Sequence, residues 1–501
     1  MFEDLLTGIT TVIQPIHLIA LFLGVLIGFV GGATPGISGT MLVIILIPIT
    51  YGMDPVPAFL ILTSIYASAV FSGAISAILF RTPGTPEAIM TVLDGYPMAQ
   101  RGEAGKALGW AIFSSALGGL VGTIILVFLT PVLANIALKF SAAEYFAIAF
   151  LGLTVVAALA GKQLIKGIIG ALFGLFIATI GIDAMSGVHR FTFGTTQFSA
   201  GVDFIPILIG LFAVAEIFRQ AQEDHAMKEK VKYVASKLPS VKEFGRLIPT
   251  FARSSLLGTF IGILPAAGAT TAAMLSYSEA VRWSKHPEKF GTGIPEGIAA
   301  PESANNAAAM GALVPLLALG IPGSATTAVI LGAFILHGIQ PGPMLMINET
   351  DLVYAIFIGC FVSIIFILVL SRPFIAMFSQ ALKIPYTLLG PLIMMFCILG
   401  TFSVRNNVFD LWIMLLFGVL GYFLDKAKFP VAPIVLGVVL GPIAEEQFRR
   451  AVQMSGGDFT VFMTRPISAV LIIIAVLSLF LPTLQSYLKK RKASREQASK
   501  A

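Results

Sequence analysis

Apolar residues run in long stretches along most of the chain, and polar residues gather between them. Trp110–Leu138, Tyr145–Ala160, Gly167–Ile182, Phe204–Phe218, Leu352–Leu370, Leu411–Leu424 and Ile467–Leu481 recur from end to end. Each approaches the roughly 20 residues that carry a helix across about 30 Å of hydrocarbon. They show no strict alternation, so barrel strands are not expected. Helices surrounded by apolar material are apolar all round, which is what the stretches show. The pattern predicts an all-α polytopic membrane protein.

Polar, helix-breaking residues interrupt this pattern in an ordered way. "GGATPGISGT" (31–40) sits between apolar flanks, and "GILPAAGATT" (262–271) matches it, with Pro35 and Pro265, and Thr40 and Thr270, 230 residues apart. "RTPGTPEA" (81–88) matches "GIPGSATT" (320–327), with Pro83 and Pro322, Gly84 and Gly323, and Thr85 and Ser324, 239 apart. Each half thus carries a Gly/Pro break, an apolar stretch and a second Pro-Gly-hydroxyl break. We call these breaks 1 and 2 in the first half, 3 and 4 in the second. The order predicts two pseudo-symmetric repeats, in an inverted pair, built from broken helices or re-entrant hairpins. The expected organisation is a first transmembrane repeat over 10–218, a linker over 219–249, a second repeat over 250–371, C-terminal helices over 372–487 and a basic tail over 488–501.

Composition and charge sharpen this picture. The chain has 501 residues, 57% hydrophobic and 12% charged, and a mean hydropathy of +0.92. Soluble proteins are nearer a quarter charged. The net charge of +6 comes mostly from Arg219–Arg246 and the tail "KKRKASREQASKA". Both are expected at the cytoplasmic face, with Lys162 and Lys166 marking a third inside loop. A basic tail of this kind anchors at headgroups and does not call for nucleic acid. The N-terminus lacks the basic start of a cleaved signal peptide. Cys360 and Cys397 lie in apolar runs and are expected to pack, without metal or disulfide.

Paired interrupted helices in corresponding places point to a carrier's binding site. Irregular backbone at membrane depth is tolerated where protein or a water-filled cavity satisfies it. A half-helix N-terminus offers N–H groups and partial positive charge to an anion. The alternative is that Gly and Pro merely kink closely packed helices. The candidate solute contacts are Thr34, Pro35, Gly36, Ser38, Gly39 and Thr40; Arg81, Thr82, Pro83, Gly84 and Thr85; Gly268, Thr270 and Thr271; and Pro322, Gly323, Ser324, Thr326 and Thr327. Arg81 supplies a counter-charge to an anion or reaches back to the interface. Glu302, Ser303, Asn305 and Asn306 either coordinate a coupling ion or begin a helix at the headgroups, with Glu302 and Ser303 as caps. Asp94 reads as a turn former before Gly95, and Glu216 as interfacial. No cofactor is expected. Hydroxyls, amides and carbonyls at the breaks favour sodium over a proton as the coupling ion.

Other readings weaken on inspection. "GISG" (36–39) matches the Gly-x-Ser-Gly of rhomboid-like serine proteases, with His337 as the histidine near a late apolar segment. It leaves the other three breaks unexplained. No phosphate-binding Gly-x-x-x-x-Gly-Lys-Ser/Thr loop is present, so nucleotide-driven pumping is not expected. A channel would need pore-lining rings, usually from oligomer symmetry, whereas a two-fold internal repeat favours a carrier.

"GYPMAQRGEAGKALG", "APESANNAAAMGALVPLLALGIPGSATTAVILGAF", "GIQPGP" and "FSVRNNVFDLWIMLLFGVLGYFLDKAKFPVAPIVLGVVLGP" resemble the large membrane subunit of the tripartite tricarboxylate transporters, over roughly residues 15–465. The resemblance implies the permease of a secondary active importer of carboxylates in the bacterial inner membrane. Its implied partners are a small four-helix membrane subunit and a periplasmic solute-binding protein. A single-component ion-coupled symporter is the alternative. Two features depart from the family's pattern. The first break reads Ala33-Thr34-Pro35-Gly36 where relatives commonly have Leu-Pro-Gly, and Arg81 stands where an uncharged residue is expected.

Overall fold

The computed structural model describes residues 2–159, 163–183, 185–222, 239–265, 267–381 and 386–480. Lys162, most of the basic linker and the 488–501 tail, all expected at the cytoplasmic face, lie outside them. The described chain is helical. Its strands, β1 (Gly181–Ile182) and β2 (His189–Arg190), form one antiparallel pair, Gly181 opposite Arg190. Among the described residues five helices are long and apolar enough to cross a membrane: Pro15–Ala33, Pro55–Phe80, Thr91–Ala137, Thr350–Ile375 and Val408–Lys426. The protein is a multi-pass helical membrane protein, as the apolar pattern predicts.

Two compact units divide the chain. One holds Met1–Leu138 and Ile205–Tyr422, the other Lys139–Phe204 and Phe423–Ala501. Residues 139–204 of the expected first repeat therefore fall in the second unit. In chain order the helices are α1 (Phe2–Val12), α2 (Pro15–Ala33), α3 (Gly39–Thr50), α4 (Pro55–Phe80), α5 (Thr91–Met98) and α6 (Ala104–Ala137). The second unit takes α7 (Ala142–Leu159) and α8 (Leu164–Ala178). The first resumes with α9 (Ala215–Gln220), α10 (Val241–Ile263), α11 (Gly268–Trp283), α12 (Glu296–Gly311), α13 (Leu313–Leu319) and α14 (Ala325–Leu336). Then follow α15 (Thr350–Ala381), α16 (Tyr386–Arg405), α17 (Val408–Lys426) and α18 (Ala432–Met454).

In the first unit α4 is central. Every residue from Pro57 to Ile78 is buried. Its hydroxyls are tolerated there because they return to their own helix: Thr63 donates to Phe59 O, Ser64 to Leu60 O and Ser68 to Ser64 O, each at 2.7 Å. Against α4 packs α2, through glycines that let the backbones touch. A Cβ on Gly28 would lie 2.7 Å from Ile65 O, and one on Gly32 2.4 Å from Ala69 O.

The same contacts recur in the second half. A Cβ on Gly258 or on Gly262 of α10 would lie 2.2 Å from the carbonyls of Ala304 and Ala308 of α12. The glycines differ by 230 and the carbonyls by 239, the two offsets of the breaks. Helix ends match as well. α2 closes on Thr34 with φ −84° and ψ 115°, and α10 on Leu264 with φ −69° and ψ 128°. α4 closes on Arg81 and α13 on Gly320, both left-handed, with φ 62° and 71°.

Direction can be read from side-chain contacts. A Cβ on Gly95 in α5 would meet Ile78, near the C-terminal end of α4, at 2.6 Å. Beside it, Asp94 meets Gly297, at the N-terminal end of α12. The C-terminal end of α4 and the N-terminal end of its counterpart α12 therefore share one side of the unit.

The second unit packs α8 on α18 through Gly174 and Gly437, where added Cβ atoms would lie 2.1 Å from Ile434 O and 2.4 Å from Ala171 O. A cavity of about 350 Å³ opens beside Phe146, Leu175, Gly441, Glu445 and Phe448. Arg449 holds Asp183, ahead of the β2 strand, at 2.7 Å, and Arg190 pairs with Glu445. The Arg449 hydrogen bond keeps the Asp183 carboxyl well below the usual carboxylate range, with the Ser186 hydroxyl adding to it.

Candidate functional site

Break 1 begins where α2 runs out at Ala33. Thr34 is extended, its N–H donates to Gly31 O at 3.0 Å, and its hydroxyl donates to Val30 O at 2.7 Å. Gly36 has φ +89°, and a Cβ there would stand 1.9 Å from Gln220 Nε2. Both facts require glycine. Gln220 is buried and donates to Glu216 at 2.7 Å, and Glu216 also accepts from Arg219 Nε at 2.8 Å. Glu216, expected to be interfacial, thus positions the amide that backs Gly36. Ser38 then accepts from Met41 N at 3.2 Å and caps α3.

Break 4 is built the same way. Ser324 caps α14, accepting from Thr327 N at 3.1 Å while its own N–H donates to Thr327 Oγ1 at 2.8 Å. The two breaks meet: Thr40 and Thr326 share a hydroxyl hydrogen bond of 2.7 Å, and Tyr66 of α4 reaches Ser324 at 3.2 Å. Ser324, Thr326 and Thr327 are all buried, as is Thr40. A Cβ on Gly268 of break 3 would lie 3.9 Å from the Ser324 side chain. Thr270 and Thr271 follow on the first turn of α11, half-buried.

Break 2 splits in two. Arg81 and Thr82 are exposed, with the Arg81 guanidinium 5.8 Å from the Tyr96 ring centre. Gly84 and Thr85 are buried. A Cβ on Gly84 would strike Gly32 O at 2.1 Å, just as one on Gly323 would lie 2.4 Å from Gly262 O. Each half thereby locks its second break onto the end of the helix before its first. The structure so gathers Gly39, Thr40, Gly84, Thr85, Gly268, Gly323, Ser324, Thr326 and Thr327 into one contact network around breaks 1 to 4. Arg81 and Thr82 stay on the outside of it. The two cavities described, in the second unit and between Ala67, Ser115 and Asn306, are lined by no break residue.

Glu302 does not cap a helix. α12 starts at Glu296, so Glu302 lies nearly two turns inside it, fully buried. Thr91 donates to its Oε1, and Ser115 to its Oε2 at 2.9 Å. Ser303 turns its hydroxyl back to Ala299 O at 2.8 Å. Asn306 donates to Glu302 O at 3.1 Å and to Asn305 Oδ1 at 2.8 Å, and Asn305 donates to Glu87 O at 3.1 Å. The polar run of α12 is therefore tied to break 2 itself, at Glu87.

Asp94 is not a turn former either. It lies within α5, fully buried, and accepts from Tyr277 OH at 2.8 Å, Gly293 N at 2.8 Å and Gly291 and Ile294 N at 3.0 Å. Arg101 donates to Thr292 O and Gly293 O of the same loop. A carboxylate is the side chain that can take several backbone N–H groups at once. Sequence reasoning passed over Thr91, Ser115, Tyr66 and Gln220 because single hydroxyls and amides in apolar runs carry no pattern. Glu87 sits inside the quoted "RTPGTPEA" and was the more legible omission. The serine–histidine pair of an intramembrane protease is not formed. Ser38 caps α3, and His337 packs on Phe59 and Tyr51, with its Nε2 unpartnered.

The fold and the buried, irregular, hydroxyl-rich network define a polytopic membrane protein whose helices are broken where they meet. The chain belongs to the tripartite tricarboxylate transporter TctA family, whose profile matches residues 18–436. It is 40% identical over 491 residues, 98% of each chain, to an Agrobacterium vitis protein described as an uncharacterized 52.8 kDa protein in the TAR-I ttuC' 3' region. It is also 42% identical over 234 residues to an uncharacterized protein of the TAR-II ttuC' 3' region of the same organism, covering 47% of this chain and 97% of the relative. No solved structure matches it.

Proposed function

We propose that this chain is the permease subunit of a secondary active importer, and that it carries a carboxylate through the junction of breaks 1 and 4. The observation that carries the reading is the Thr40–Thr326 hydrogen bond, which brings the N-terminal turns of α3 and α14 together inside the protein. Each half-helix start adds partial positive charge, and hydroxyls supply donors and acceptors there. Thr40 and Thr326 hydrogen-bond to one another at 2.7 Å. An entering carboxylate takes over those donors at little net cost. Fixed cationic side chains are not needed, which spares the expense of an unpaired charge at depth.

Sodium is the coupling ion in this reading, since the surroundings offer hydroxyl, amide and carboxylate oxygens. The chain acts as a carrier and not as an enzyme. It sits in the bacterial inner membrane with its C-terminus in the cytoplasm. It works with a small four-helix membrane subunit and takes its solute from a periplasmic binding protein. The halves form an inverted repeat, a reading supported by the recurring glycine contacts and by the shared side of the α4 and α12 ends.

Uptake of labelled di- and tricarboxylates into proteoliposomes tests this. Uptake is expected only with an inward sodium gradient and with the binding protein added. Full-rate uptake by this chain alone would contradict the tripartite reading. Uptake of no label under any gradient would contradict transport.

A further inference from the structure

Two neighbouring buried oxygens within break 2, Thr85 Oγ1 and Glu87 Oε2, have no hydrogen-bond partner beyond one another. Thr85 is 1% exposed. Its hydroxyl lies beside the Glu87 carboxyl. A buried acceptor left without a donor destabilises the protein, and more so when it is charged. Native proteins seldom leave a buried carboxyl met by so few donors without a reason.

Their surroundings add to the deficit. Glu87 is close enough to Glu302 and to Tyr66 to act on both electrostatically. Asn305, on the same helix as Glu302, holds the Glu87 backbone carbonyl. Glu302 has its two oxygens met by Thr91 and Ser115, so it needs no further donor. Glu87 has an oxygen to spare. Acids inside a membrane protein are costly and mark ion or proton pathways. No cluster of three or more His, Cys, Asp or Glu side chains occurs among the described residues, so a transition metal has no set of ligands here. A carboxylate and a hydroxyl, with a second carboxylate nearby, suit a hard monovalent cation that takes oxygen ligands.

We propose that a sodium ion binds at Thr85 Oγ1 and Glu87 Oε2, with Glu302 as the neighbouring charge that raises its affinity. This rests on the transport reading and deepens it. The solute takes the break 1–break 4 junction, and the ion takes the break 2 side. Because Gly84 packs on Gly32 at the start of break 1, occupancy of the ion site bears directly on the solute junction.

The test measures sodium at two levels. In proteoliposomes holding the complete transporter with its binding protein, the sodium concentration for half-maximal uptake is read at saturating solute. Glu87→Gln and Thr85→Val are each expected to raise it about tenfold or more, whereas Thr85→Ser, which keeps the hydroxyl, stays near wild type. In detergent, without solute, sodium is expected to raise the melting temperature of wild type and of Thr85→Ser, but not of Glu87→Gln or Thr85→Val. An unchanged sodium dependence in Glu87→Gln, or sodium stabilisation that survives in it, overturns the proposal. So does uptake driven by a pH gradient alone in sodium-free buffer and abolished by Glu87→Gln, which makes Glu87 a proton carrier. If wild type moves no carboxylate at all, the transport reading fails, while the melting measurement still decides the ion site.

Discussion

Arg81 and Gly320 occupy corresponding helix ends, and both are left-handed. That conformation is free for glycine and costs an L-residue roughly 1–2 kcal/mol. An arginine held there must recover the cost through its side chain. It recovers part of that cost over the Tyr96 ring, at 5.8 Å, where a cation–π contact contributes about 0.5–1 kcal/mol at an exposed site. Arg81→Gly is therefore expected to leave the half-saturating carboxylate concentration unchanged and thermal stability nearly so. A tenfold loss of solute affinity in that variant would return Arg81 to the solute site as a counter-charge. Its cationic character was legible in the sequence; its backbone conformation was not, because nothing in "FRTPG" announces a left-handed arginine. Asp94 shows the same limit. A buried carboxylate that gathers backbone N–H groups from a loop about 200 residues away looks, in sequence, like any Asp before a Gly.

Among the elements, the glycine contacts decide the packing. Gly28 and Gly258 stand 230 residues apart and each faces a carbonyl of the second helix past its half's first break, Ile65 O of α4 and Ala304 O of α12. Neither carbonyl can move far, because each is backbone inside a buried helix. Gly28→Leu and Gly258→Leu are expected to damage folding alike, giving low yield of monodisperse protein in detergent and a large drop in melting temperature. Gly245→Ala, at a glycine with open space around it, serves as the control and should behave as wild type. Tolerance of leucine at Gly258 but not at Gly28 would show that the two halves pack differently. The breaks themselves were legible because Pro and Gly in an apolar run violate the pattern around them. The close pairing of α2 with α4 and of α10 with α12 was less so, since small residues at four-residue spacing are common in membrane helices.

For the whole molecule, the broken helices turn into a single buried network because each half folds its second break onto the start of its first, and Thr40 and Thr326 join the two halves. Length and hydropathy predicted a polytopic membrane protein, and the motifs identified the family. The meeting of breaks 1 and 4 could not be read from a linear sequence, since 286 residues separate the two threonines. The most direct test of the account is the half-saturating carboxylate concentration of Thr40→Val and Thr326→Val in sodium-driven proteoliposome uptake. Each is expected to raise it about fivefold to tenfold, as the loss of a hydrogen bond worth about 1 kcal/mol implies. The double variant should fall short of the product of the two, because both hydroxyls act at one place. Wild-type solute affinity in both single variants, with uptake intact, would contradict the placement of the solute at this junction.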